Sequence, residues 1–248
     1  MKILVCLAKT PDTTAKITFT NNNTQFNTNG VTYIANPTDE WYALVRACEI
    51  KESLGGSVTV IHVGTSEGDT EQIIRKALAI GADDAVRVDA APADAGFVAA
   101  QIAAYAKNNQ FDIIFSGKET IDYNGFSVGG MVAELLDLPF ISLVTKLEVN
   151  GNTATIDREI DGGSQTLEVK TPFVLSAQKG IAEQRIANMR GIIASRTKPL
   201  QVTPAVAVGV QTPVPLSETR QAPTNVKLIP ADNPAELVRL LHEEAKVI

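Results

Sequence analysis

The feature that most restricts the fold is an alternation of short, mostly apolar runs with longer amphipathic stretches. Ile3–Leu7, Val58–Val63, Ala85–Val88 and Phe111–Phe115 read as buried strands. Between them, Trp41, Leu44, Val45 and Cys48 recur at helical spacing behind Thr38 and Asp39 as capping candidates. Ile73, Ile74, Ala77 and Leu78 make a second stripe, closed by Gly81. A third helix is predicted from Asp94 to Lys107, and a fourth carries Val128, Met131, Val132, Leu135 and Leu136. Such alternation implies an α/β fold: a mostly parallel sheet with helices on both faces.

After Pro139 the pattern changes. Leu143–Val149 and Thr153–Ile156 flank Asn150-Gly151, a hairpin signal. Asp161-Gly162-Gly163 marks another turn, with Arg158 and Glu159 before it as solvated strand residues, and Thr166–Leu175 reads as one further strand. Ala182–Ile193 is a polar amphipathic stretch. Seven of the 12 prolines fall between Pro199 and Pro234, too closely spaced for a helix or a central strand. This predicts an extended arm, ending where Asn233, Pro234 and Glu236 open a helix with Leu237, Leu240 and Leu241 inward. The organisation expected is an α/β domain over 1–198 followed by an arm and terminal helix over 199–248.

Composition removes several classes of function. With 248 residues, 44% hydrophobic and 20% charged, the chain has material for a large core and is not of disordered composition. No apolar run reaches the roughly 18–20 residues of a membrane span, and the apolar start is too short for a secretory signal, so a cytoplasmic protein is expected. A net charge of −6 argues against nucleic-acid binding. Two cysteines, Cys6 and Cys48, and two histidines, His62 and His242, make neither a disulfide framework nor a metal site.

Ligands of open parallel sheets bind beyond the carboxyl ends of the strands. The segments predicted to reach that rim are Ala8–Thr13, Asn36–Asp39, Gly64–Asp69 and Gly117–Gly130. The last leaves a strand, crosses a polar loop and enters a helix through glycines, a pattern suited to a phosphate although it is neither a Walker A loop nor G-x-G-x-x-G. An ordinary tight loop is the alternative. Gly125-Phe126-Ser127-Val128-Gly129 also matches G-x-S-x-G, with Asp232 and His242 following, but a nucleophile elbow needs its serine directly after the strand. Lys118, Glu119 and Asp122 read as nucleotide-contacting or solvated, and Cys6 as a small core residue.

Several ordered segments carry a family resemblance. They are Lys2–Cys6 through Pro11-Asp12, Asn36-Pro37-Thr38-Asp39 and the run Arg75–Asp83. Most specific is Ile156-x-Arg158-x-x-Asp161-Gly162-Gly163-x-Gln165-x-Leu167 with Pro172-Phe173-Val174-Leu175. Together they resemble the β subunit of electron transfer flavoprotein over nearly the whole chain. The resemblance implies a Rossmann-like sheet of the adenine nucleotide α-hydrolase type, without catalytic residues of its own. It implies a heterodimer with an α subunit that holds the redox-active FAD, and electron transfer from flavin dehydrogenases to a quinone oxidoreductase. It also implies a bound AMP, replaced by a second FAD in bifurcating members. The matching site residues are Cys6, Asn36, Pro37, Thr38, Asp39, Thr65, Gly117, Thr120, Ile121, Asp122, Tyr123, Asn124, Gly125, Phe126, Ser127 and Val128. Phe126, Ser127 and Val128 depart from the family's usual Asn or Gln with Thr, which shifts phosphate contact from side chains to backbone. Residues 182–193 align with the family's recognition loop and place Met189 at its partner-anchoring position. Two other readings are a stand-alone module resembling universal stress proteins, which has no use for the arm, and a serine hydrolase acting through Ser127.

Overall fold

A computed structural model describes residues 1–208, 217–219 and 226–248. In chain order the elements are β1 (Lys2–Cys6), β2 (Lys9–Pro11), β3 (Phe19–Thr20), β4 (Gln25–Phe26), β5 (Tyr33–Ala35), α1 (Asp39–Leu54) and β6 (Ser57–Val63). There follow α2 (Thr70–Ile80), β7 (Asp84–Asp89), α3 (Ala95–Asn109), β8 (Ile113–Gly117), α4 (Val128–Leu136), β9 (Phe140–Asn150) and β10 (Thr153–Ile160). The chain closes with β11 (Gly163–Lys170), β12 (Phe173–Ala177), α5 (Met189–Ser195), β13 (Leu200–Pro204) and α6 (Pro234–Glu243). Two compact units result: Met1–Lys16 with Thr28–Pro213, and Ile17–Asn27 with Val214–Ile248.

The larger unit is built on a nine-stranded sheet in the order β11-β10-β9-β12-β8-β1-β6-β7-β13. From β9 to β13 neighbours run parallel, whereas β10 is antiparallel to both β9 and β11. The sheet is therefore the Rossmann-like α/β sheet expected, extended by a hairpin. Strand alternation separates its two faces. Ile3, Val5 and Leu7 pack with Leu44, Cys48, Ile73 and Leu78 of α1 and α2. Leu4 and Cys6 pack with Ile102, Ala106, Val132 and Ala133 of α3 and α4. Burying each large aliphatic side chain is worth about 1.5–3 kcal/mol, so these two layers supply the main drive to fold. The fourth predicted helix is α4, and the third is α3, capped where Asp94 accepts the Phe97 N–H at 2.6 Å.

Several expectations need correction. Thr166–Leu175 is not one strand: Pro172, which has no N–H to continue a ladder, separates β11 from β12. The first stays antiparallel at the edge, while the second inserts between β9 and β8 with all five residues buried. From Pro199 the extended stretch first runs along the sheet, where β13 pairs with β7 as an edge strand. Thr38 makes no side-chain cap; the first turn of α1 carries Asp39 and Glu40 instead. Within Ala182–Ile193 only the part from Met189 onward is helical, opened by Asn188, whose Oδ1 accepts the Gly191 N–H at 2.8 Å. Among the described residues no helix is long and apolar enough to cross a membrane.

The smaller unit contains the β3–β4 pair, turned through three left-handed asparagines, Asn21, Asn22 and Asn23, and the helix α6. Asn233 Oδ1 accepts the Glu236 N–H, Pro234 occupies the first turn, and Arg239 pairs with Glu236 and Glu243 at 2.8 and 2.6 Å. Of the three leucines expected inward, Leu240 is buried at 8% exposure, whereas Leu237 is exposed at 46%. The predicted arm residues 209–216 and 220–225 lie outside the described residues.

Candidate functional site

The chain runs β1, β6, β7 to one side of the sheet and then returns to place β8 on the other side of β1. In open α/β sheets the ligand crevice lies at such a reversal, here beyond the carboxyl ends of β1 and β8. Cys6 ends one wall and Gly117 the other. A third wall is added by the β2–β5 pair, in which Lys9 faces Ala35, and by the Asn36 N–H donating to Ala8 O at 3.0 Å. The residues preceding α1 are thereby held beside the chain that leaves β1.

Asn36 is fully buried and sutures two walls. Its Nδ2 donates to Glu119 O at 2.8 Å, and its Oδ1 accepts the Ile121 N–H at 3.3 Å. Glu40, not among the expected site residues, is also buried and accepts the Ala8 N–H at 2.6 Å. Burial pushes its carboxyl up to about 8, and Asp122 and Asp39 push the same way, against hydrogen bonds from Ala8 and Asn36. Asp39 is raised by burial too, opposed by Lys118 and a hydrogen bond to the Glu119 backbone. Gly117 permits this packing: a Cβ there would sit 2.7 Å from Glu40 Cγ and 3.3 Å from Asp39 Cβ. Gly129 does the same for α4, since a Cβ would lie 2.3 Å from Ser116 Oγ.

Loop 118–127 is more open. Asp122, Tyr123, Asn124, Gly125 and Phe126 are exposed, and Asn124 and Phe126 adopt left-handed backbone. The Phe126 ring does not fill the crevice; it is 56% exposed, with Lys118 Nζ 5.7 Å above it. Ser127 stands at the N-cap of α4 without capping through its side chain, and the first helical bond runs from the Met131 N–H to Ser127 O. The N–H groups of Val128, Gly129 and Gly130 thus precede the helical ladder and carry its positive end, an arrangement that suits an anion. Thr120 and Ile121 are half-buried.

The structure brings Asn36, Asp39, Gly117 and Ile121 together directly and sets Cys6 behind them, its thiol raised by burial and so kept protonated. Pro37 is half-buried and Thr38 exposed, while Thr65 sits half-buried beyond the neighbouring strand, β6. There His62 donates from Nδ1 to Leu7 O at 2.8 Å, the proton assigned by the carbonyl it faces. Burial lowers His62 to about 4, so it is neutral at pH 7. Ser127 is no nucleophile elbow, because β8 ends at Gly117 and a polar loop intervenes. Among the described residues no cluster of three or more His, Cys, Asp or Glu could hold a metal. Glu40 had a legible signal: it lies four residues before Leu44 and eight before Cys48, an acid on the apolar stripe of a helix.

This geometry can be set beside known proteins. Residues 23–208 match the family model described as the electron transfer flavoprotein domain. The electron transfer flavoprotein subunit beta of Bacillus subtilis is 33% identical over 262 aligned residues, covering all of both chains. The human subunit of that name is 29% identical over 100% of this chain and 99% of its own. Protein FixA of Azotobacter vinelandii is 31% identical over 96% of this chain and 88% of its own.

Proposed function

This chain belongs to the electron transfer flavoprotein β-subunit family, and from that premise we propose that its β1/β8 crevice holds one AMP within a heterodimeric electron carrier. The observation that carries the AMP reading is that Asn36, Glu40 and Gly117 meet at the sheet's point of reversal, while Gly129 at the start of α4 lies close against Ser116, the residue before Gly117. The helix end and the loop amides receive the phosphate. Glycine at 117 lets the end of β8 close on the first turn of α1, which fixes that wall. Asn36 and Glu40, both buried, hold the walls in place, Asn36 through the loop after β8 and Glu40 through the residue after β1. A mononucleotide matches this better than a triphosphate, since Lys118 is the one cation at the loop's start and carboxylates surround it.

The partner is an α subunit carrying FAD, which supplies the redox chemistry by accepting electrons from dehydrogenases and passing them to a quinone-reducing acceptor. This chain contributes scaffold and docking surface and no catalytic group of its own. Met189, which opens α5, is 71% exposed, and Ile186 before it is 87% exposed, which supports a partner-anchoring role for this segment. The test is coexpression with a cognate α subunit, followed by acid extraction of the purified complex. One FAD and one AMP per heterodimer is the expected result. Two FAD and no AMP makes the complex a bifurcating type, and a complex releasing no nucleotide besides the α-subunit FAD overturns the crevice assignment.

A further inference from the structure

Glu40 is a carboxyl built into a place that penalises a carboxylate. It is 6% exposed, and its side chain spans the point of sheet reversal. The Ala8 N–H, just beyond β1, reaches it at 2.6 Å, and Gly117, the last residue of β8, closes on its Cγ. The groups around it come from every wall. The Cys6 thiol faces it from β1, Asp39 from its own helix and the Asn36 amide from the segment before that helix. The loop after β8 adds Asp122, and Glu119 and Lys118 near Asp39. Lys118 already stands 3.6 Å from Glu119, so an incoming anion meets acids in excess of cations.

Resting on the AMP reading above, we propose that Glu40 is a proton-linked positioning residue of the nucleotide crevice, receiving the phosphate-bearing ligand as the neutral acid and weakening its hold as the carboxylate. The neutral acid still offers an oxygen to the Ala8 N–H and adds an O–H that can donate to the ligand or to Asp122 or Asp39. The carboxylate offers acceptors only and repels the phosphate. With the carboxyl already raised to about 8, the neutral form prevails at pH 7 and is lost above pH 8. A bound anion favours it further, so binding takes up a proton across that window.

The test uses the full chain copurified with its α subunit and stripped of nucleotide, titrated calorimetrically with AMP between about pH 7.5 and 9.5. That range lies above the second phosphate ionisation near pH ~6. Two buffers of different ionisation enthalpy count the protons. The wild type is expected to bind about tenfold more weakly at the upper end and to take up about half a proton per AMP near pH ~8. Glu40→Gln keeps an oxygen for Ala8 and stays neutral, so its affinity should change less than about twofold with no proton uptake. Glu40→Ala should bind more weakly at every pH, with a flat profile. A flat wild-type profile with no proton uptake overturns the role of Glu40 while leaving AMP in place, as does a Glu40→Gln variant that keeps the slope. No AMP uptake at any pH overturns the crevice reading and this inference with it. Should Glu40→Gln fail to fold, the wild-type proton count decides alone.

Discussion

The β1/β8 crevice and the segment from residue 182 through α5 belong to the same unit and are made in opposite ways. In the crevice, polar groups are buried and satisfy one another: Asn36 with the loop backbone, Glu40 with Ala8, Ser116 Oγ with Leu175 O at 3.0 Å. Around α5 the backbone is pinned and the apolar side chains are left out. Arg185 pairs with Glu52 through two bonds of 2.6 and 3.0 Å, and Asn188 caps the helix. Ile186, Met189 and Ile193 are nevertheless 87%, 71% and 61% exposed. A buried polar group is costly unless paired, so pairing that leaves a crevice suits a small polar ligand. Exposed apolar groups on a fixed backbone suit a protein partner, because little freedom remains to be lost on docking.

The largest effect that would sharpen this contrast is expected at Gly117. A β carbon there meets Glu40 Cγ at 2.7 Å and the Glu40 backbone nitrogen at 3.2 Å, and neither can move without unseating α1. Gly117→Val should cost about 3 kcal/mol in urea unfolding and remove the nucleotide. Its counterpart is Gly191→Ala, where the new carbon meets Ala79 O at 2.3 Å and pushes α5 off the end of α2. That change should cost about 1–2 kcal/mol and leave nucleotide content intact. Equal nucleotide loss in both variants would erase the distinction between the two regions. Asn36→Ala comes next in the crevice, with a loss of about 2 kcal/mol because it orphans the Glu119 carbonyl and the Ile121 N–H.

The parallel core was legible because its strands are buried on both faces and its helices keep an apolar stripe; Val128–Leu136 is α4. The Asn150-Gly151 hairpin was legible from turn chemistry alone, Gly151 taking φ +62°. The strand β13 was not. Its prolines argued only against a helix or a central strand, which left an edge strand unread; Pro204 stands at the end of one, where no ladder N–H is missed. The break at Pro172 was passed over because β11 and β12 are both strands, and hydropathy does not report a change of neighbour. In the crevice, the rim loops followed from topology, whereas Glu40 required reading an acid on an apolar stripe as a sign of a buried polar partner. Leu237 shows the reverse failure: helical spacing marks a face as apolar without saying what covers it.

For the docking segment, Met189→Ala removes an exposed side chain and should leave unfolding free energy within about 0.5 kcal/mol of wild type. Its effect belongs to the partner: affinity for a cognate dehydrogenase is expected to fall about tenfold, typical of an interface anchor. Flavin and nucleotide content should not change. A variant that loses stability instead would mean that Met189 packs against its own unit.

The smallest effect on the fold is expected at Gly125, and for that reason it reports most cleanly on the ligand. A β carbon there approaches nothing nearer than Ser127 Oγ at 3.7 Å, and the backbone is not left-handed. Gly125→Ala should therefore shift stability by no more than about 0.5 kcal/mol, with a lean toward stabilisation from the reduced freedom of the unfolded chain. If the amides between Thr120 and Ser127 close on phosphate, the added methyl group stands between backbone and anion. AMP should then bind severalfold more weakly to a chain of unchanged stability. Gly117→Val loses nucleotide because the wall collapses, so its loss cannot separate fold from contact. Gly125→Ala can: undiminished AMP affinity would move the phosphate away from this part of the loop and onto the N–H groups of α4 alone.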